Sequence, residues 1–505
     1  MTSQVSGLLK EAIAPELQAA LFRPALERDF SAVLPYMAEA NKAHVLMLCA
    51  TGIISREVGR ALARAILELE GAGPGAFPLD AALEDPYFNY EARVIAMTGA
   101  EIGGRMHIAR SRNDLKAAQD RLRARDKTLH VIAGEIAARL ALLESAARHA
   151  GVVMPGYTHL QPAQPITFGF YLLGLGHAFE RDHDRIAGCY RRINVNPLGA
   201  GALAGTSFPI DRAMTSQYLG FDRVDPHAQD AVASRDYLIE LLGHCSLMAA
   251  TWGRLAQDFY VMTSYEFATL TFPDSVAGTS SMMPQKKNMV VLESLKARAA
   301  TILGAYLSGI VGIKGTNFTL TVDGSRDGFR WAWSALDDTI DALTVLRIVV
   351  DKAEPRPSRM RELVQANYST ATDLADALVR EGFLSFREAH HVVGGAVRLA
   401  IERRVPADRI DAALIAEAAA KVLGRQVAIG PATCAEAVDP VRAAERRAGT
   451  GGPAQADMAA MCKALGQRLD ADTRWLAGER TRIDGARKKL ERDFATLAGV
   501  PAAVR

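Results

Sequence analysis

The sequence predicts an all-α protein of three helical units arranged around a central bundle of long helices. Three observations lead there. Leu115, Leu122, Leu129, Ile136 and Leu143 recur every seven residues in a proline-free segment from Asp114 to Ala150, which is a seam along one helix. Four more proline-free stretches follow, at about Ile166–Asn194, Asp230–Phe267, Gln285–Ile313 and Gly328–Val350, separated by Pro- or Gly-containing connections. No convincing run of alternating apolar and polar residues marks a strand.

A chain of 505 residues exceeds what one hydrophobic core usually supports. Residues 1–110 carry shorter helical patterns with frequent breaks, such as Gly71 to Pro78, and are expected to form an N-terminal domain. Residues 111–355 hold the five long stretches and form the expected bundle. Residues 356–505 return to shorter patterns, broken between Gly449 and Pro453, and form the third unit. The tail from Ala456 reads as a charged amphipathic helix at the surface.

Composition narrows the functional class. With 59 basic and 57 acidic side chains, nothing marks a nucleic-acid surface, and the expected partner is a small molecule. The five cysteines lie far apart and form no C-x-x-C pair, which argues against a disulfide framework and a structural zinc site. The longest stretch without Asp, Glu, Lys or Arg, His149 to Phe179, contains Pro155, Pro162 and Pro165 and reads as a turn feeding a buried helix, not a membrane span. The opening MTSQVSGLLKEAIAPEL lacks a basic stretch followed by an apolar run, so the expected location is cytoplasmic. Neither a Gly-rich nucleotide loop nor metal ligands at recognisable spacing occur, so no cofactor and no metal are expected.

One connection stands apart. Thr271 to Pro284, TFPDSVAGTSSMMP, joins two long stretches through fourteen residues, and loops of that length inside a compact domain are usually functional or disordered. The following Gln285-Lys286-Lys287-Asn288 is expected to open a helix, so that backbone N–H groups and a lysine converge where an anion would bind. A Ser-Ser or Lys-Lys pair alone carries little. The whole string GTSSMMPQKKN resembles the signature of the fumarase/aspartase superfamily, and its PQKKN ending resembles the argininosuccinate lyase branch. MHIARSRND (Met106–Asp114), PGYTHLQPAQPI (Pro155–Ile166), RINVNPLGAGALAG (Arg192–Gly205) and ASRDY (Ala233–Tyr237) carry the same resemblance in the expected order.

The resemblance implies the three-domain fold of that superfamily and a reaction in which an amine is eliminated from an N-substituted aspartate to give fumarate. Such a reaction needs a strong base and a stabilised dianion. By resemblance Ser281 is the base, acting as an alkoxide favoured by Lys287, and Lys287 and Asn288 stabilise the aci-carboxylate intermediate. Ser111, Arg112, Asn113 and Thr158 would hold one carboxylate, and Ser280 with the backbone at Met283 the other. His159, oriented by Glu293, would sit near the leaving amine; a lone buried histidine is more often structural, but here the neighbouring motif is intact.

Departures from the branch fall on the amine side. Leu320-Thr321-Val322-Asp323-Gly324-Ser325 stands where argininosuccinate lyases usually read Tyr-Asn-Lys-Asp-Leu-Gln, and the lysine expected next is Gly328. Met289-Val290 replaces Pro-Asp, and Tyr87 replaces a histidine. Tyr87, Met289, Val290 and Leu320 are therefore expected to make an apolar amine pocket, in which a guanidinium would lie unpaired. The chain is more similar to the ethylenediamine-N,N'-disuccinate (EDDS) lyases, which add varied amines to fumarate. Argininosuccinate as substrate and a non-catalytic, crystallin-like structural role are the alternatives. The resemblance also implies a homotetramer whose active sites combine segments of three subunits, with fumarate, amines and N-substituted aspartates as ligands.

Overall fold

The fold is seen in a computed structural model that describes residues 11–382 and 384–501. The five expected helices are present as α1 (Arg112–Arg148), α2 (Phe168–Ile193), α3 (Asp236–Met262), α4 (Val290–Lys314) and α5 (Ala332–Lys352). The heptad residues Leu115, Leu122 and Leu129 are buried, as that seam requires. Helix α1 packs between α2 and α5, and α3 between α2 and α4. Side-chain contacts set the directions. Lys127 meets Asp337 and Arg148 meets Asp351, so α1 and α5 run parallel, whereas Tyr260 meets Glu293 and Gly243 faces Tyr306, so α3 and α4 run antiparallel.

The bundle therefore has two distinct ends. The start of α1 shares one end with the starts of α3 and α5, and the start of α4 lies with the end of α3 at the other. The 27 residues of α3 put those ends about 40 Å apart. Ser111 and Asp114 fix the start of α1 through a capping box. Asp114 Oδ2 also accepts the N–H groups of Gly199 (2.9 Å) and Gly201 (3.0 Å), which folds the NPLGAG segment over that end. Gly201 has φ +61°, and a Cβ there would lie 2.4 Å from the carbonyl of Gly205.

Three features depart from the sequence expectation. The fold contains short two-stranded sheets, the largest a hairpin of β1 (Val153–Thr158) and β2 (Gln161–Thr167) just before α2. Gln285–Asn288 do not open a helix: α4 begins at Val290, and Asn288 pairs with Gly278 in an isolated bridge that closes the loop. The tail is one 44-residue helix, α6 (Gln455–Ala498), and it is no mere surface element. Its Leu465, Leu476 and Ile483 pack in the bundle core, and its Leu490 and Phe494 in the core of the N-terminal helices. A third core is built from residues 374–438. Fully buried Lys42 joins α6 to the N-terminal helices through Glu491 (2.7 Å) and Glu70. Among the described residues no helix is long and apolar enough to cross a membrane.

Candidate active site

At the α1 end, a cavity of about 350 Å³ is lined by Tyr87, Arg112, Asn113 and Leu320, all expected from the sequence, together with Glu84, Asp85, Lys116 and Trp333, which were not. Ser111 is engaged in the cap, accepting the Asn113 N–H at 3.3 Å, and the Asn113 amide donates to the Ala202 carbonyl at 3.0 Å. Arg112 is already paired: its Nη1 donates to Asp85 Oδ2 (2.7 Å) and Glu84 Oε2 (3.2 Å), and its guanidinium lies 4.0 Å from the Phe88 ring centroid. Glu84 adopts φ +66°, an uncommon conformation for a non-glycine residue, where its carboxylate meets Arg112.

Tyr87 presents its ring to the cavity but buries a polar group. Its hydroxyl donates to Glu91 at 3.0 Å, lies 2.9 Å from His107 Nδ1, and accepts from Arg110 at 3.3 Å. Burial raises the Tyr87 pKa, and burial followed by the charges of Arg110 and Arg112 lowers that of His107 to about 4. Burial likewise pushes Asp114 up to about 6, against the N–H groups that favour its charge.

The opposite end carries the other set. Gly278 N–H donates to Asn288 O (2.8 Å) and Asn288 N–H to Gly278 O (2.9 Å), pinching off an exposed loop with Ser280, Ser281 and Met283 at its tip. Ser280 Oγ accepts the N–H of Met283 at 3.0 Å, and the Asn288 amide donates to the Thr279 carbonyl at 3.1 Å. Lys287 is folded back onto Asp274 (2.9 Å) and the Phe272 carbonyl. Among the described residues no hydrogen bond joins it to Ser281. Glu293 accepts from the Tyr260 hydroxyl at 3.0 Å. Met289 caps α4 and Val290 starts it, so these two lie about a bundle length from Tyr87 and Leu320.

Thr158 and His159 occupy the exposed turn of the β1–β2 hairpin. His159 and Leu160 both have positive φ, +54° and +56°, the geometry of a tight primed hairpin turn. Among the described residues no contact joins His159 to Glu293. The expected residues are thus gathered at separate places, and within this chain they do not meet.

A lyase family model matches residues 36–304, and an argininosuccinate lyase C-terminal model matches residues 368–442. Argininosuccinate lyase 1 of Shouchella clausii is 39% identical over 466 residues, covering 92% of this chain and 94% of that protein. Among solved structures, EDDS lyase in complex with formate superposes with a TM-score of 0.87 at 32% identity, covering 97% of both chains. A fumarate lyase from Mesorhizobium, with a TM-score of 0.70 at 20% identity over 91% of this chain and 99% of that one, shares the fold. The chain belongs to the fumarase/aspartase superfamily of lyases, in its argininosuccinate lyase branch, and structurally resembles EDDS lyase.

Proposed function

We propose that this chain is a carbon–nitrogen lyase that reversibly converts an N-substituted aspartate into fumarate and a free amine. The observation that supports the reading is that both sets of residues carrying the family resemblance are presented at the ends of the bundle. The serine loop pinched off at Gly278 and Asn288 lies at one end, and the donors at the start of α1 border a cavity at the other. In the forward direction Ser281, as its alkoxide, takes the proton from the carbon beside one carboxylate. The electron pair is held as an aci-carboxylate by Lys287 and Asn288, and its return forms the double bond as the carbon–nitrogen bond breaks. His159, oriented by Glu293, delivers a proton to the departing amine. Ser111, Asn113 and Thr158, with the free edge of Arg112, hold one carboxylate; Ser280 and the backbone at Met283 hold the other. Lys287 must leave Asp274 to do this, which makes loop closure part of the cycle.

Assembly follows from the same geometry. Segments about 40 Å apart in one chain can share a substrate only if different chains contribute them. Leu303, Leu307 and Val311 are 47%, 50% and 66% exposed along one side of α4, and Leu247 of α3 is 53% exposed. Such an apolar stripe calls for helices of other copies, and a homotetramer with shared sites supplies them.

The amine pocket carries Leu320 and Val290 where a polar amine would want partners, which favours apolar or mixed amines. Argininosuccinate is the second reading, supported by the 39% identity to a protein of that activity. Fumarate absorbance during incubation with argininosuccinate, EDDS, or fumarate plus alkylamines separates the two. Ser281→Ala should lower turnover at least about a hundredfold with little change in fold. Turnover of none of these substrates would overturn the proposal.

A further inference from the structure

We infer that Glu84 is a positioning residue: its carboxylate fixes which edge of the Arg112 guanidinium is offered to substrate, and the backbone is strained to put it there. The inference rests on the lyase reading above, in which Arg112 holds one carboxylate. Residues Ala81–Leu83 form a turn of 3-10 helix, and the chain then reverses at Glu84 with φ +66° and ψ −56°. The Asp85 N–H donates to the Leu83 carbonyl at 2.7 Å across that single residue. Together these define a γ-turn of positive φ, the rare and strained hand of that turn, in which the side chain leaves axially instead of along the plane of the turn. Buried Asn89 holds both flanks: its Oδ1 accepts the Asp80 N–H at 2.7 Å, and its Nδ2 donates to the carbonyls of Asp80 (3.2 Å) and Asp85 (3.0 Å). Asp80 also accepts the Ala82 N–H at 2.9 Å, and Asp85 caps the helix Pro86–Thr98 by accepting the Phe88 N–H at 3.0 Å. The turn is pinned from both sides, which is how a strained residue persists.

That geometry sends two carboxylates to one nitrogen at the border of the cavity. Arg112 Nη1 donates to Asp85 Oδ2 at 2.7 Å and to Glu84 Oε2 at 3.2 Å, and the Phe88 ring, with its centroid 4.0 Å from the guanidinium, covers one face. Nε and Nη2 make no hydrogen bond among the described residues. Asp85 alone would let the guanidinium pivot about a single contact; the second carboxylate, from the preceding residue, holds the fork so that Nε and Nη2 stay free for an incoming carboxylate. Stability does not account for the arrangement. The Arg112 and Glu84 side chains are 38% and 28% exposed, a pair that contributes little to folding, and strain of this kind costs at least as much. Glu84 therefore orders the donor that meets substrate at the expense of the fold.

The test uses full-length protein. Glu84→Ala keeps a Cβ at positive φ and Glu84→Gly relieves it, while both lose the carboxylate. Glu84→Gly should melt about 1–3 °C above Glu84→Ala. Both should nevertheless raise the KM for fumarate about fivefold, with kcat for amine addition within about twofold of wild type. Glu84→Gln, which keeps an acceptor of equal reach, should restore part of the affinity. In an Arg112→Gln background Glu84→Ala should cost nothing more, because Glu84 acts through that arginine. A wild-type KM in both variants, a KM that follows melting temperature, or losses that add in the double variant would overturn the inference. Calorimetric titration with fumarate separates it from the lyase reading. Glu84-dependent binding without turnover supports the positioning role and sinks the lyase, whereas turnover with Glu84-independent binding does the reverse.

Discussion

The separation of the two residue sets yields a quantitative prediction about mixed oligomers. Asn113 stands at the start of α1 and Ser281 beyond the end of α3, about 40 Å away along the bundle. If both serve one substrate, they come from different chains. Asn113→Ala and Ser281→Ala should each be nearly inactive alone. After the two are mixed in equal amounts and subunits reassort at random, a site is intact only when its Ser281 comes from the Asn113 variant and its Asn113 from the Ser281 variant. Each condition holds half the time, so about a quarter of sites recover. Fumarate formation should rise to about 25% of the wild-type rate, with reassortment verified by native mass spectrometry of size-tagged chains. Verified reassortment with no rise above the parental background would refute shared sites and the mechanism built on them.

Three further outcomes follow from particular contacts. Lys42→Met leaves the carboxylates of Glu70 and Glu491 without their buried cation; because both partners are partly exposed, the loss should be about 2–3 kcal/mol, read as a shifted denaturation midpoint with an unchanged slope. His107 is held down to about 4 by burial and by Arg110 and Arg112, so the unfolded chain binds its proton more readily. Its contribution to stability is present above about 6.5 and is lost as pH falls toward 4, and His107→Gln should show a smaller drop in melting temperature between about pH 7 and 4.5; an equal drop would contradict this. Val290→Asp with Leu320→Tyr should move the amine preference from hexylamine toward ethylenediamine by about tenfold, and an unmoved preference would assign these positions to packing alone.

The long helices were legible because their signal is collective: the sevenfold recurrence from Leu115 to Leu143 survives any single exception. The β1–β2 hairpin was not, because its three prolines obscure the alternation and its turn uses His159 and Leu160 at positive φ instead of the Asn-Gly or Gly pairs that announce such turns. The helix expected at Gln285 failed for a different reason. Lys287 and Asn288 have good local prospects as a helix start, but a backbone bridge to Gly278, ten residues earlier, fixes them in an extended path, and propensity carries no information about that partner. The tail reads as a surface helix because its charges dominate its composition. Yet Leu469, Leu476, Ile483 and Leu490 fall on a seven-residue rhythm, with Leu465 one turn before it, that marks a buried seam.

The candidate site divides for a related physical reason. Ser281, Lys287 and Asn288 were found through a contiguous string, and contiguity ensures that they end on one loop. Tyr87, Met289, Val290 and Leu320 were grouped by their departures from a family pattern, which constrains chemistry but not distance within a chain. The fold accordingly places Tyr87 and Leu320 together and Met289 and Val290 at the other end. If these four residues line one amine pocket, as proposed, more than one chain must supply them. Glu84, Asp85 and Trp333 left no motif to find, whereas Lys116, Asp120 and Arg123 did, as polar residues at helical spacing from Asn113 on a helix whose opposite seam is leucine. On that line Lys116 and Arg123 are half-exposed, and buried Asp120 pairs with Lys116 at 3.2 Å and with Arg235 at 3.5 Å, so solvent and these ion pairs together answer the charges that face the cavity.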